Sequence, residues 1–326
     1  MGGAGEGVKC SSPLPSRGRP AYRQRMLRAW LQLIRLPNLF TVPGDPLAGF
    51  LLASGALHAG QAELDHRAAL AALASLCIYA GGLIHNDLVD FSEDLRDRPK
   101  RPLPSGAVPK LAAQIVCLLL LAAGMLIMRL VAGQNGSTAA SLLIFAVVLY
   151  NYWAKRIPVL GALVMGSCRG LSLLLGAVAC TGSLLPQSPV VLAAALGTTL
   201  YIAAVTNLAR HETEPTVPST ARWLPAVPVL GLLILAMQFT GQLMRSLTST
   251  ILAVALVVVG VEVARLFSKK APPLPPVIGA LIRILLPLQA AYCLIYPHGV
   301  SAQITGLALL IAAPLARRVG KIFYAS

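Results

Sequence analysis

The sequence predicts an all-α, polytopic transmembrane bundle, and three observations lead to that prediction. Of its 326 residues, 56% are hydrophobic and only 12% are charged, about half the charged fraction of an ordinary soluble domain. Apolar segments recur along nearly the whole chain, and many reach the roughly 17 to 25 residues that cross a hydrocarbon core of about 30 Å. Lysine and arginine gather in alternate connections between these segments, as they do in loops on the cytoplasmic side.

We predict nine or ten spans. The tenth is the less secure, because it is short and little more than Pro297-His298-Gly299 separates it from the ninth. The predicted spans cover residues 38–57, 68–85, 111–131, 138–153, 159–181, 190–208, 224–242, 248–267, 277–296 and 302–315.

The charge pattern predicts orientation and location. Arg67, Arg129 and Arg245 make up the sparse set of basic residues on one side, and the dense set lies in the other connections and at both termini. We therefore expect an integral protein of the inner or plasma membrane with both termini in the cytoplasm. Residues 1–30 are predicted to form a basic, disordered tail, and residues 31–326 the membrane domain.

The excess of basic residues does not indicate a nucleic-acid partner. The formal net charge is +15, but no soluble, aromatic-interleaved or helical basic face is visible in the sequence. Topology signals and attraction to anionic lipid headgroups explain the charge better. The six cysteines contain no C-x-x-C pair, so we expect neither a zinc site nor a disulfide framework.

An acidic motif follows the second predicted span, in a chain with only 12 acidic residues. It reads Asn86-Asp87-Leu88-Val89-Asp90-Phe91-Ser92-Glu93-Asp94. If the preceding helix continues through it, Asp87, Asp90 and Asp94 project from one face. Converging carboxylates repel one another unless a cation lies among them. Mg²⁺ is the natural candidate, because it prefers oxygen ligands and is usually held by a few carboxylates and substrate phosphates.

Two cationic connections lie on the same predicted side as the motif. The first, residues 97–106, holds Arg98, Lys100 and Arg101 in a proline-stiffened loop; these cations either bind a diphosphate or only set topology. The second, residues 150–158, places Lys155 and Arg156 after an aromatic cluster. Those two cations favour phosphate contact, and the aromatic side chains serve either as interfacial anchors or in catalysis.

Taken together, these segments resemble the UbiA superfamily of intramembrane prenyltransferases. The likeness rests on Asn86-Asp87-x-x-Asp90-x-x-x-Asp94, the Arg-Pro-Leu-Pro-Ser-Gly loop at 101–106, the connection from Tyr150 to Arg156, and Arg35-Leu36-Pro37-Asn38. The resemblance implies a helical bundle around a central cavity, in which Mg²⁺ bridges Asp-rich motifs to the diphosphate of a polyprenyl donor. The allylic C–O bond then ionises, and an acceptor, usually an aromatic ring, captures the carbocation.

The resemblance also implies roles for individual residues. Asp87, Asp90 and Asp94 are expected to hold the metal with Asn86 beside them, and Lys155 is expected to assist catalysis. The expected diphosphate contacts are Arg98, Lys100, Arg101, Lys155 and Arg156. Tyr201 and Tyr150 either shield the carbocation by cation–π attraction or serve only in packing.

The chain departs from the family pattern in its second acidic motif. The family usually carries a D-x-x-x-D motif at the end of the sixth span, where this chain has no aspartate and offers Asn207, Glu212 and Glu214. We expect Glu212 and Glu214 to take the place of the missing ligands and Asn207 to contact substrate. Arg210 brings a competing positive charge to the same segment.

A second departure is Arg169, inside an apolar span. An ionisable residue in that position usually faces a cavity or a partner, because facing lipid costs several kcal/mol. Arg169 therefore either holds the diphosphate or pairs with a residue such as Asp45.

Two functions follow from the sequence. The first is Mg²⁺-dependent transfer of a polyprenyl group from an isoprenyl diphosphate to a lipophilic or aromatic acceptor in the membrane, which the intact first motif favours. The alternative, favoured by the altered second motif, is a non-catalytic membrane protein that binds or moves a prenylated or amphipathic metabolite.

Overall fold

A computed structural model describes residues 19–58, 60–185, 188–214, 217–239, 242–268, 272–296 and 299–324. Within these ranges every regular element is a helix. The α-helices are α1 (Arg19–Leu33), α2 (Leu36–Leu39), α3 (Gly44–Leu57), α4 (His66–Val89), α5 (Phe91–Asp97), α6 (Lys110–Tyr152), α7 (Pro158–Thr181), α8 (Pro189–Ala209), α9 (Ser219–Trp223), α10 (Ala226–Phe239), α11 (Gln242–Arg265), α12 (Leu274–Arg283), α13 (Leu285–Cys293) and α14 (Val300–Tyr324). Short 3₁₀ segments cover Ala154–Arg156 and Arg210–Thr213.

The helices confirm the predicted multi-pass membrane bundle. In the part of the chain that the structure describes, eight helices are long and apolar enough to cross a membrane. This number counts the 43-residue α6 once and leaves out α3, which has only 14 residues. The predicted third and fourth spans both lie in α6, and the first lies in α2 and α3.

Helix α6 is a hairpin of two antiparallel helices. Its backbone leaves helical geometry at Ala132 and at Gly133, where φ is +58°, a conformation that glycine adopts without a Cβ penalty. Ser141 Oγ donates to Met125 Sδ at 3.7 Å, although a straight helix would hold residues this far apart in sequence roughly 24 Å from each other. The two halves are thus separate spans, as the sequence predicts.

Local signals set the ends of several spans. Asp65 caps α4 by accepting a hydrogen bond from the Arg67 backbone N–H at 2.8 Å. Pro158 and Pro189 occupy the first positions of α7 and α8, where a missing N–H removes no helical bond. Gly182 ends α7 in the left-handed conformation. These signals set the starts of α4, α7 and α8 and the end of α7.

The first predicted span is broken rather than continuous. The four-residue α2, which contains Pro37, and a turn at residues 40–43, which ends with Pro43, precede α3. The break frees the Thr41 carbonyl, which accepts from Arg169 Nη2 at 2.7 Å and from Gln289 Nε2 at 2.8 Å. Non-helical backbone inside a membrane bundle requires such partners, so the two polar side chains stabilise the break.

Helices α3 and α7 approach each other closely through glycine. A Cβ on Gly49 would overlap the Leu173 carbonyl, and one on Gly176 would overlap the Pro46 carbonyl. Small residues permit this backbone contact between membrane helices. Helix α7 also packs against α6 and α8, and it therefore forms the centre of the bundle.

Part of the predicted disordered tail is helical. Its residues 1–18 lie outside the described part of the chain, and residues 19–30 are helical in α1 rather than disordered. Ala29 and Leu33 of α1 are buried beside Leu103 and Val108 of the loop after α5. Burial of this helix face stabilises α1, and the amino-acid composition on which the prediction of disorder was based does not reveal it.

One end of the bundle, which we call the motif face, collects the segments singled out by the sequence. It holds the end of α4, helix α5, the loop of residues 98–109, the 3₁₀ segment Ala154–Arg156 and the end of α8. Helices α7 and α8 run antiparallel, because Gly166 lies against Ala203 and Gly170 lies against Ala195, and this brings the end of α8 to the start of α7. The cytoplasmic location of this face stays a prediction.

Candidate active site

The acidic motif spans the junction of α4 and α5. Helix α4 ends at Val89, and Asp90 has φ −84° and ψ 3° before α5 begins at Phe91. Helix α4 therefore does not continue through the motif, which was the condition for placing the three aspartates on one helix face. Backbone bonds still bridge the junction, because the Asp90 N–H donates to the Asn86 carbonyl and the Asp94 N–H to the Asp90 carbonyl.

Each of the three aspartates pairs with a cation from a different segment. Asp87 Oδ1 lies 3.7 Å from Arg35 Nη2, and Asp94 Oδ2 lies 2.7 Å from Arg101 Nη1. Lys155 Nζ forms an ion pair with Asp90 Oδ1. Asp87 and Asp94 are buried, so these charges are stabilised by their partners rather than by bulk water. Three positive and three negative charges thus meet on the motif face.

Lys155 contacts two residues of the motif. Besides pairing with Asp90, its ammonium lies 3.5 Å from Asn86 Oδ1. The Asn86 amide in turn donates to Asp87 Oδ1 at 3.4 Å. The connection between α6 and α7 is therefore tied to the end of α4, as the predicted shared role of Asp90 and Lys155 requires.

Hydrogen bonds between α4 and α6 hold the part of α4 that directly precedes the motif. Asn151 Nδ2 donates to the Gly82 carbonyl at 3.2 Å and lies 2.9 Å from His85 Nδ1. The His85 ring meets the Tyr152 ring edge-on, with centroids 5.1 Å apart. These contacts limit how far the end of α4 moves relative to Lys155.

Tyr150 lies near the end of α6, two residues before the last residue of that helix and five before Lys155. Arg210 directly follows α8, whose end lies next to the start of α7 because these two helices run antiparallel. Tyr150 is only half-buried, and its position is compatible with the expected contact with substrate.

The loop cations divide into two groups. Arg101 contacts the acidic motif, whereas Arg98 and Lys100 are exposed and line a pocket with Arg35 and Arg101. Arg156 is also exposed. Within the described ranges, no carboxylate lies within ion-pair distance of Arg98, Lys100 or Arg156.

The neighbouring acid Asp97 already has a partner. Its Oδ1 lies 2.9 Å from Arg96 Nε. The Arg96 guanidinium beside it holds the pKa of the Asp97 carboxyl below its usual value of 3.8. The Asp97 carboxylate is therefore ionised, and it is paired with Arg96, which does not line the pocket.

The glutamates expected to replace the second motif do not join the first. Glu214 Oε2 lies 2.6 Å from His211 Nδ1, and Glu212 is exposed on the 3₁₀ turn after α8. Asn207 is half-buried near the end of α8. In the described part of the chain, no group of three acidic, histidine or cysteine side chains is close enough to hold a metal ion. Neither the five-carboxylate metal set nor the three aspartates of the first motif are therefore close enough together to hold an ion in this conformation.

Arg169 adopts the structural role that the sequence left open. Its Nε lies 2.9 Å from Asp45 Oδ2, and both side chains are buried. Gln289 Nε2 donates to Asp45 Oδ1 at 2.5 Å. With its charge paired and its Nη2 on the Thr41 carbonyl, Arg169 is engaged by the protein itself rather than free for a diphosphate.

Tyr201 also differs from the sequence expectation. Its side chain is fully buried, and its hydroxyl donates to the Leu281 carbonyl at 2.8 Å. The residue joins α8 to α12 in the core, so the packing alternative describes it and the carbocation-shielding role does not.

Sequence reasoning missed two residues of these networks. The sequence predicts no contact for Arg35, which belongs only to a segment that resembles the family. In the structure it pairs with Asp87 and has a positive φ of 48°. Gln289 was not singled out, although a lone amide in the apolar stretch LLPLQAAYC was an available signal.

The donor chemistry of the first motif suits Mg²⁺. Asn86, Asp87, Asp90 and Asp94 offer carboxylate and amide oxygens, the ligands this ion prefers. The three cations now paired with the aspartates would have to give way to the ion. The ligand types of the first motif therefore fit a magnesium ion. Glu212 and Glu214, after α8, do not contact that motif.

Comparison with known proteins agrees with this geometry. A model of the UbiA prenyltransferase family matches residues 47–221, more than half of the chain. The matched region contains the acidic motif, both cationic connections and the end of α8. It begins after Arg35 and ends before α10.

Curated relatives match about half of this chain. The digeranylgeranylglyceryl phosphate synthase of Ignicoccus hospitalis is 33% identical over 155 residues, which are 47% of this chain and 48% of that protein. The enzyme of the same name from Methanothrix thermoacetophila is 33% identical over 153 residues, 47% of this chain and 55% of that protein. The chain thus aligns with about half the length of the curated relatives it matches.

Solved structures share the fold. A UbiA homolog from Archaeoglobus fulgidus bound to GPP and Mg²⁺ has a TM-score of 0.61 at 15% identity, covering 87% of this chain and 99% of that one. A structure of digeranylgeranylglyceryl phosphate synthase has a TM-score of 0.60 at 20% identity, covering 86% and 99%. The likeness therefore extends well beyond the segment that the family model matches.

Proposed function

The chain belongs to the UbiA prenyltransferase family, and from this we propose that it transfers an isoprenyl group from an isoprenyl diphosphate to a lipophilic acceptor in the membrane. One observation carries the proposal. Three aspartates of the first motif pair with cations from three separate segments, through Arg35, Arg101 and Lys155. This arrangement supplies binding groups for both a diphosphate and a cation on one face.

The paired charges suggest how the site accepts its substrate. A diphosphate presents several anionic oxygens, which are suitable partners for Arg35, Arg101 and Lys155. The aspartates released from those cations then gain free lone pairs for Mg²⁺. In the ligand-free protein, the opposite charges of the site neutralise one another, and binding exchanges internal pairs for pairs with the ligands.

The reaction is a substitution at an allylic carbon. The C–O bond to the diphosphate breaks, its electron pair leaves with the diphosphate, and the acceptor forms the new bond and loses a proton. Positive side chains near the leaving oxygens stabilise the charge that develops there. Bound Mg²⁺ would supply further stabilisation of that leaving group. Lys155, held half-buried between Asn86 and Asp90, is the cation best placed by its contacts to act in this way.

The acceptor that we propose is a lipid bearing a phosphate rather than an aromatic ring. The basis is the name of the relatives, digeranylgeranylglyceryl phosphate synthase. A glyceryl phosphate head carries negative charge, and the motif face is rich in unpaired cations such as Arg98, Lys100 and Arg156. The aromatic acceptor expected from the wider superfamily has no such support.

A specific observation favours the non-catalytic alternative. Glu214 is paired with His211, and among the described residues no three acidic, histidine or cysteine side chains lie close enough together to hold a metal ion. A protein that only bound a prenylated or amphipathic metabolite would need the membrane bundle but no complete pair of acidic motifs.

A transfer assay separates the two functions. Detergent-purified protein is incubated with radiolabelled geranylgeranyl diphosphate, Mg²⁺ and a glyceryl phosphate lipid, and the labelled product is separated by chromatography. We expect product from the wild type, with Asp90→Asn and Lys155→Met each lowering the rate by about 10²-fold or more. Arg318→Gln, an exposed cation change on α14, serves as the control. Folded wild-type protein that binds the donor and forms no product with glyceryl phosphate, aromatic or other lipid acceptors would support the alternative.

A further inference from the structure

A cationic pocket lies beside the acidic motif. It occupies about 580 Å³ between the end of α1 and the loop after α5. Four basic side chains line it, namely Arg35, Arg98, Lys100 and Arg101. Like charges gathered around one cavity repel each other, so the pocket favours an anionic occupant.

The protein neutralises only part of this charge, because Arg35 and Arg101 pair with aspartates of the motif. Asp97 lines the pocket, but its carboxylate pairs with Arg96. Arg98 and Lys100 have no carboxylate within ion-pair distance among the residues that the structure describes. Two cations without a carboxylate partner therefore point to an anionic ligand that the described residues do not supply.

The pocket is distinct from the site of the acidic motif. None of Asp87, Asp90, Asp94 or Lys155 belongs to its lining. Arg35 and Arg101 form the boundary, because each lines the pocket and also pairs with an aspartate of the motif. The two sites are neighbours that share a wall of two arginines.

The backbone at Arg35 adds an independent sign of function. Arg35 adopts φ 48°, the one positive φ outside glycine among the described residues. A non-glycine residue in this region of φ/ψ space carries a conformational cost, and such residues concentrate at ligand-binding sites. In this conformation the Arg35 guanidinium lies 3.7 Å from Asp87, and the residue also lines the pocket.

The uncharged part of the lining restricts the type of anion. Leu31, Pro37, Pro99 and Pro102 give the pocket an apolar surface beside its cations. The prolines also stiffen the loop that carries Arg98 and Lys100. A ligand with an anionic head and an adjoining apolar part matches both surfaces, whereas a bare inorganic anion uses only one.

We propose that this pocket binds the phosphate head of a membrane lipid, at a site separate from that of the donor diphosphate. Arginine side chains bind phosphate oxygens in a bidentate manner, and the apolar surface takes the glycerol and the first methylene groups. The source of the phosphate is the lipid acceptor, an identification that rests on the proposed function, or an anionic phospholipid of the surrounding bilayer.

Binding titrations in detergent test this site without any transfer reaction. The probes are 1-oleoyl lysophosphatidic acid, phosphatidylglycerol, monoolein as the phosphate-free match, and inorganic phosphate. The variant is Arg98→Gln with Lys100→Gln. Its matched control is Arg317→Gln with Arg318→Gln, which removes the same charge from exposed positions on α14.

We expect lysophosphatidic acid to bind the wild type at least tenfold more tightly than monoolein or inorganic phosphate does. The pocket variant should lose roughly tenfold or more of this affinity, because it removes charge-assisted contacts, and the control should keep it. Tighter binding of lysophosphatidic acid than of phosphatidylglycerol identifies an acceptor-like phosphomonoester, and equal binding identifies bilayer phospholipid as the source.

Three results of the lipid titrations would each overturn the proposal, and a fourth comes from the donor: the three are equal binding of monoolein, equal binding of inorganic phosphate, or an equal loss in the control variant. Geranylgeranyl diphosphate is titrated in parallel. If the pocket variant loses donor affinity as strongly as lipid affinity, the pocket belongs to the donor site and the separate site is refuted. If donor binding is lost in Asp90→Asn and kept in the pocket variant, the proposed function and the separate lipid pocket are both supported. Loss of donor binding in neither variant counts against the proposed function alone, because Asp90 does not line the pocket.

Discussion

Arg169 and Asp45 form an ion pair inside the bundle, with 2.9 Å between Nε and Oδ2. The contact is electrostatic, because the two atoms do not meet hydrogen-bond geometry. Gln289 and the Thr41 carbonyl complete the cluster, which joins α3, α7 and α13 at the break in the first span. The arginine that the sequence offered as a phosphate ligand thus stabilises irregular backbone three residues before α3.

Removing this arginine should destabilise the fold. Arg169→Met leaves Asp45 buried without its counter-charge, which costs about 3–5 kcal/mol. Thermal unfolding in detergent, followed by the labelling of buried cysteines, measures the loss. Arg129→Met in the α6 turn removes an exposed cation and should change little. Adding Asp45→Asn to Arg169→Met should recover part of the loss, and an unaltered unfolding temperature in Arg169→Met would contradict this assignment.

Close contact between α3 and α7 makes a second prediction. Gly176→Ala places a Cβ against the Pro46 carbonyl, and a backbone atom cannot move aside by changing rotamer. We expect a loss of about 1–3 kcal/mol in stability. Gly231→Ala in α10 is the matched control, because nothing lies within 4 Å of its added Cβ. That change should be neutral or stabilise by about 0.5–1 kcal/mol; similar effects for both variants would argue against the close helix contact.

The two acidic segments should contribute unequally to transfer. Asp90→Asn removes the partner of Lys155 and should lower the rate by about 10²-fold or more. The double variant Glu212→Gln with Glu214→Gln should retain at least about a tenth of the rate, because Glu214 pairs with His211 and neither glutamate contacts the first motif. Initial rates at saturating Mg²⁺ measure both, with circular dichroism as the check on folding. A loss as large as that of Asp90→Asn would place the glutamates in the metal site.

Tyr201 should matter for stability rather than chemistry. Tyr201→Phe removes one of the donors to the buried Leu281 carbonyl, which keeps its hydrogen bond from the Ile284 N–H, so the cost is about 0.5–1.5 kcal/mol. Tyr201→Leu also removes the ring, and we expect the transfer rate of the folded fraction to stay within a few-fold of wild type in both variants. A much slower rate in Tyr201→Leu than in Tyr201→Phe would instead support a cation–π role.

The fold was predictable because membrane spans have strong signals in composition and charge. The sequence placed both halves of the α6 hairpin and located the acidic motif and its cationic neighbours. It did not reveal the break before α3, because the partners of Thr41 lie 128 and 248 positions away. It also missed the helicity of residues 19–30, which depends on burial of Ala29 and Leu33 against a distant loop.

The site was predictable in its members but not in its pairings. Sequence spacing suggested that Asp87, Asp90 and Asp94 share a face, but not that Arg35 would hold Asp87. Such pairs depend on how separate helices pack, and no local pattern encodes that packing. The division of the loop cations, with Arg101 on the motif and Arg98 and Lys100 in a pocket, has the same origin.

Donor binding as a function of Mg²⁺ tests the central claim most directly. Geranylgeranyl diphosphate is titrated calorimetrically into detergent-purified protein with and without Mg²⁺, using the wild type, Asp90→Asn and the Arg318→Gln control. The account predicts binding that Mg²⁺ strengthens by tenfold or more in the wild type and in the control, and that Asp90→Asn weakens by a similar factor. Binding that is absent, or that ignores both Mg²⁺ and Asp90, would contradict the assignment of the acidic motif as a prenyl diphosphate site.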